Sequence, residues 1–169
     1  TANDLTYLNM NFRKRDVIKK NKKKWYSLSY GKKMLYNVYM KPFQNFTGFD
    51  DFHLPVAFRK STWRDVWDKC HDILDSTCTH KFRSHEDVNQ WLMRYWQFAD
   101  GTFSPTSPHR GDFLVIGVDD ERIKQIITNA SSPMICLSDD YEDVDFEKEK
   151  EFITECFESV FSEKSSFEV

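Results

Sequence analysis

Two short apolar runs, residues 113–118 (Phe-Leu-Val-Ile-Gly-Val) and 133–137 (Pro-Met-Ile-Cys-Leu), bracket a helical stretch at 120–130, and this constrains the fold more than any other feature. Each run has strand length, and strands joined through a helix of about a dozen residues pair in parallel, so the reading is a compact β-α-β unit. The rest of the chain points to helices. Fifteen Phe and five Trp stand against five Gly and five Pro, a balance that argues for a helix-rich, densely packed body. The expected class is therefore α/β and helix-rich. Carbohydrate stacking is the alternative use of so many rings. At 169 residues, with 40% hydrophobic and 30% charged, the chain has the size of one domain with a sizeable core.

Amphipathic helices are marked by their caps. Thr62, with Asp65 three residues on, predicts a helix whose apolar stripe is Trp63, Val66, Trp67, Cys70, Ile73 and Leu74, ending near Ser76. Ser84 predicts the N-cap of a helix from His85 to Asp100, with Asp87 at its third position. Its buried face would be Val88, Trp91, Leu92, Tyr95, Trp96 and Ala99, and Gly101 would stop it. A last amphipathic helix is expected over 145–161. Residues 31–40 read as a short helix stopped by Pro42, 43–51 as an aromatic loop, and 102–111, with two prolines, as an exposed loop. Residues 11–24 read as a basic helix or extended arm that would not fold by itself.

The formal charge of -3 hides an asymmetry. Arg13, Lys14, Arg15, Lys19, Lys20, Lys22, Lys23, Lys24, Lys32 and Lys33 crowd the first fifth, while acids dominate after Asp139. Such a run suits anionic lipid, a lipid-linked phosphate, or plain solvation. Nucleic acid is disfavoured, since no binding signature accompanies the lysines and the total charge is acidic. Cys70, Cys78, Cys136 and Cys156 lack the spacing of a zinc site or a disulfide framework, which points to small buried hydrophobes in a reducing compartment. A metal site drawn from Cys70-His71 and Cys78-Thr79-His80 is the less regular alternative. Asn45-Phe46-Thr47 and Asn129-Ala130-Ser131 match the glycosylation pattern without a secretory signal beside them. With no apolar run of membrane-spanning length and no signal peptide, the expectation is a cytoplasmic or peripheral protein. The chain begins with Thr and runs directly into mid-domain sequence, as a fragment lacking its N-terminal part would.

Three places could carry chemistry. Arg83, just before the expected helix start, suits a phosphate, because backbone N–H groups there favour anions and a guanidinium adds paired hydrogen bonds. Its structural alternative is pairing with Glu86 or Asp87. His53 stands before Leu54-Pro55 at a loop end, where it would serve as a base, as a phosphate contact or as a hydrogen-bonded structural residue. Ser138-Asp139-Asp140 directly follows the second strand, and ligands of α/β sheets collect at the carboxyl ends of strands, so these carboxylates could hold a metal or a hydroxyl. A polar connecting loop is the plainer reading. For Glu86 and Asp87 the plain reading is complementarity to the helix dipole, which Asn89 does not share.

In motif order the chain resembles the C-terminal half of the Stealth family, sugar-phosphate transferases of bacterial capsule synthesis related to animal N-acetylglucosamine-1-phosphotransferase. His53-Leu54-Pro55, the helix after it and Phe82-Arg83-Ser84-His85-Glu86-Asp87-Val88 resemble the family's third conserved region, over 53–101. Ile135-Cys136-Leu137-Ser138-Asp139-Asp140 resembles the fourth, over 112–161, with Ser138 where the family usually has Asn. The family's first two regions have no counterpart here. The division this implies is a basic linker or arm with a short helix at 1–52, and the C-terminal part of a nucleotide-sugar-transferase-like domain at 53–169. The resemblance implies transfer of a sugar-1-phosphate from a nucleotide sugar to a hydroxyl of a glycan or polysaccharide acceptor. His53 would act as base or phosphate ligand, Arg83 would clamp the diphosphate, and Asp139 would orient the acceptor or a divalent metal. Asp87, Asn89 and Asp140 would contact substrate. Mg or Mn, held by Asp139 and Asp140, is the implied cofactor, and the missing N-terminal part of the same domain is the implied partner. Without that part the fragment is expected to be inactive. Two alternatives stay open: a non-catalytic helical module docking on a membrane or partner through Lys19, Lys20, Lys22, Lys23 and Lys24, and an ordinary glycosyltransferase.

Overall fold

The structure, a computed structural model, describes residues 2–141 and 144–167. The chain divides into two units, Thr1–Asp51 with Val56–Pro108, and Phe52–Pro55 with His109–Val169. The first is helical. Its elements are α1 (Ala2–Asn11), α2 (Lys14–Lys20), α3 (Lys22–Trp25), a 3-10 segment (Leu28–Lys33), α4 (Met34–Tyr39), α5 (Lys60–Lys69), α6 (His71–Thr79) and α7 (Gln90–Asp100). Helices α1, α2 and α5 pack on α7. That helix buries seven of its eleven residues, Arg94 and Gln97 among them, as a helix enclosed on most sides must.

Aromatic side chains fill the space around α7. Trp96, 1% exposed, meets Phe12 edge-on with ring centroids 4.8 Å apart, and its Nε1–H donates to Asp65 at 2.6 Å. A buried indole N–H left unpaired would cost stability, so this bond belongs to the packing. Burial works against charge on Asp65, but hydrogen bonds from Lys69 and Trp96 outweigh it and hold the carboxyl below its usual range. The loop at 43–51 is aromatic as expected, and it supplies core. Phe49 stacks on Tyr95 at 4.5 Å and lies 5.2 Å from Phe98, while Phe46 is 5% exposed. The Arg94 guanidinium sits over Trp91 and Phe98, at 5.1 and 5.4 Å, with Asp51 3.7 Å away.

Several helix boundaries of this unit depart from the sequence expectation. The helix expected from Thr62 to Ser76 is two, broken at Cys70 (φ -125°, ψ 30°). It starts at Lys60, because the N–H of extended Arg59 is taken by Gln97 Oε1 at 3.0 Å, and Thr62 is a buried residue of the first turn rather than its cap. Gly31 (φ 55°, ψ -134°) splits the expected helix at 31–40, leaving α4 as the α-helical part. The basic stretch forms α2 and α3, and α2 packs on α7.

The second unit contains the β-α-β arrangement read from sequence. Strand β1 (Asp112–Val115) pairs in parallel with β2 (Ile135–Ser138), with Leu114 opposite Leu137, and α8 (Asp120–Asn129) connects them. Helix α9 (Phe146–Glu158) follows, shorter than the expected 145–161. Leu114, Ile123, Ile126, Ile127 and Cys156 form this unit's core. Strand β1 stops short of residue 118 because Gly117 turns with φ 81°, and a Cβ there would lie 2.3 Å from Val144 Cγ1. All four cysteines are free; Cys70 and Cys156 are buried as expected, whereas Cys78 is exposed. Among the described residues no helix is long and apolar enough to cross a membrane.

Candidate functional site

Arg83 lies on the loop between α6 and α7, not at a helix start. Residues 85–89 are not helical, so Ser84 does not cap α7, and the reason is a set of competing hydrogen bonds. Asp87 accepts the Ser84 N–H at 2.6 Å with one carboxylate oxygen and meets His80 Nδ1 at 2.7 Å with the other. Val88 N–H donates to Thr77 Oγ1 at 3.3 Å, and Asn89 N–H donates to Asp4 Oδ1 at 3.0 Å. Asn3 donates to the His85 carbonyl at 2.6 Å, which fixes the loop to α1. These bonds hold the backbone out of helical register until Asn89, whose side chain accepts the Trp91 N–H at 2.8 Å and caps α7. The capping function expected of Ser84 thus belongs to Asn89.

This loop borders a cavity of about 370 Å³, lined by His80, Arg83, Asp87, Asn89 and Trp91 among others. Its electrostatics are set by Asp87. The Ser84 N–H, the His80 ring and the nearby Arg83 charge together hold that carboxyl below its usual range, so it is ionised at neutral pH. The exposed Arg83 guanidinium and the His80 ring therefore border a cavity that also presents a fixed carboxylate. Sequence reasoning gave His80 no role here. Its signal was the spacing of seven residues to Asp87, which becomes a contact only when the loop is not helical.

The other proposed residues belong to the second unit. His53 is exposed, with its ring 5.3 Å from that of Phe113. Asp139 and Asp140 are exposed at the carboxyl end of β2, and Ser138 Oγ donates to Asp140 at 2.6 Å. The end of β1 carries a second aspartate pair, with Asp119 accepting the Val115 N–H at 2.9 Å and Asp120 the Gly117 N–H at 2.7 Å. These two close the turn into α8.

No protein-family model matches the chain, and no solved structure matches it. Curated relatives do. The chain is 33% identical over 166 residues to a capsular polysaccharide phosphotransferase of Streptococcus pneumoniae, and 30% identical over 169 to an exopolysaccharide phosphotransferase of Lactiplantibacillus plantarum. A receptor polysaccharide phosphotransferase of Streptococcus gordonii is 27% identical over 168 residues. By sequence the chain is similar to proteins named bacterial polysaccharide phosphotransferases. The alignments cover 98–99% of it, and it spans about half the length of each relative.

For a phosphotransferase relative the metal question turns on the donor set. Among the described residues no group of three or more His, Cys, Asp and Glu could hold a cation. Asp139 and Asp140 are exposed carboxylates after β2, of the donor type that a hard cation takes singly or in pairs beside water and phosphate.

Proposed function

We propose that this chain is the C-terminal portion of a nucleotide-sugar-transferase-like domain that transfers sugar-1-phosphate in capsular or exopolysaccharide synthesis. The Arg83 cavity carries this reading, because it offers a guanidinium for a phosphate in a chain whose relatives are named phosphotransferases. In the reaction the acceptor hydroxyl oxygen attacks the phosphorus nearest the sugar. A new P–O bond forms, the bond to the oxygen bridging the two phosphates breaks, and nucleoside monophosphate leaves with the electron pair. His53 takes the hydroxyl proton, Arg83 neutralises the phosphate, and Asp139 and Asp140 orient the acceptor or hold Mg or Mn. Asp87 and Asn89 shape the substrate wall of the cavity. A divalent cation, when bound, supplies further charge to the phosphate oxygens.

The test uses the longer protein that carries this chain. Arg83→Ala and His53→Ala are expected to abolish transfer while the far-UV circular dichroism stays unchanged; wild-type turnover in either would sink the assignment. Product analysis separates this chemistry from an ordinary glycosyltransferase, which would release nucleoside diphosphate. The same reading puts the protein in the cytoplasm, where Lys19, Lys20, Lys22 and Lys23, all exposed, would contact the anionic inner face of the membrane. Lys24 is set apart from them, since it donates to the Gly101 carbonyl at 2.6 Å. Cosedimentation with phosphatidylglycerol vesicles, but not with neutral ones, checks that contact.

A further inference from the structure

We propose that His80 is a second phosphate contact, donating from Nε2 to the phosphate that Arg83 binds. The proposal rests on reading the Arg83 cavity as the phosphate site. The Asp87 side chain is 8% exposed, and its two oxygens are engaged by the Ser84 N–H at 2.6 Å and by His80 Nδ1 at 2.7 Å. An ionised carboxylate only accepts, so the proton between the two side chains sits on Nδ1. That bond fixes the orientation of the ring and leaves Nε2 for a ligand, as a carboxylate does for a histidine at a metal site. His80 is accessible, with 38% of its side chain exposed, and it lines the same cavity as Arg83. Clamping the loop alone would not require an imidazole, since Thr77 Oγ1 and Ser84 Oγ already bond to backbone N–H groups of Val88 and Glu86.

A phosphate dianion wants donors, and Nε2 donates only in the imidazolium with Nδ1 also protonated.

The test measures sulfate binding to the longer protein, sulfate being a dianion at neutral pH that stands in for the phosphate. Wild type should bind it through the Arg83 guanidinium and the His80 Nε2–H together. His80→Gln, whose amide can still donate to Asp87, should bind several-fold more weakly. Arg83→Ala should lose binding. Loss in Arg83→Ala with wild-type affinity in His80→Gln overturns the histidine assignment and leaves the cavity reading standing. No binding to wild type, or binding indifferent to both substitutions, overturns both. Should His80→Gln fail to fold, Asp87→Asn takes its place: a loosened ring should weaken sulfate binding several-fold, and wild-type affinity in it counts against the proposal.

Discussion

Helix α7 buries seven of its eleven residues, whereas strand β2 of the second unit leaves all four of its residues only half-buried. Parallel strands are usually covered on both faces, so the second unit is the more lightly upholstered of the two. Its core is a short list with Leu114 and Ile123 fully enclosed, while the first unit spreads its burial over rings contributed by α1, α3, α7 and the loop at 43–51. The difference teaches that stability here is distributed in one unit and concentrated in the other.

The sharpest way to break that contrast is Trp96→Ala. It removes a ring that is 1% exposed and leaves Asp65 without its indole donor, so a loss of about 3–5 kcal/mol is expected from denaturant unfolding. A cost under about 1 kcal/mol would mean that α7 is not the centre of its unit. Leu114→Ala should cost roughly 2–3 kcal/mol, the lower end for such a change, because half-exposed strand neighbours can close on the gap. Hydrogen exchange should show that loss in β1 and α8. Helix caps provide a finer comparison, since Asn89 caps α7 and Asp145 caps α9, accepting from Glu147 and Lys148 at 3.2 and 3.3 Å. Alanine at either should cost about 1 kcal/mol, and thermal melts that spare both would show that these ends are held by packing instead.

The smallest effect is one of pH. Asp87 has a folded-state pKa below its unfolded one, so its contribution is present above the unfolded value of about 3.9 and lost as pH falls through the folded value. Backbone amides of Ser84 and Val88 should therefore exchange faster below about pH 4, and Asp87→Asn should erase that step.

The β-α-β unit was legible because its two apolar runs and the helix between them are local features. The last helix and the Gly101 stop were legible for the same reason. The start of α7 was not, although Ser84, Asp87 and Val88 have the spacing of a helix entry. What defeats that pattern comes from far away in sequence: Asn3 and Asp4 of α1 bond to the loop across more than eighty residues. The break at Cys70 is equally hidden, since its apolar neighbours keep helical spacing on both sides. Of the candidate residues, Arg83 and the aspartates after β2 could be named from position and resemblance, while the contact of His80 with Asp87 could not, because it forms only where the loop leaves helical register.

The lysine that reaches Gly101 has a consequence for chemical labelling. Lys24 donates to that carbonyl, and Lys14, buried, donates to the Met40 carbonyl at 2.7 Å, with desolvation pushing its pKa down. Their neighbours Lys19, Lys20, Lys22 and Lys23 stand in solvent. An amine-directed reagent would thus meet two populations in what reads as one basic tract, a fast outer set and a slow pair doing the work of tie-rods. Counting charges along the sequence overstates the field this tract presents, and the tie-rods mark where acylation would loosen the helical unit rather than merely discharge it.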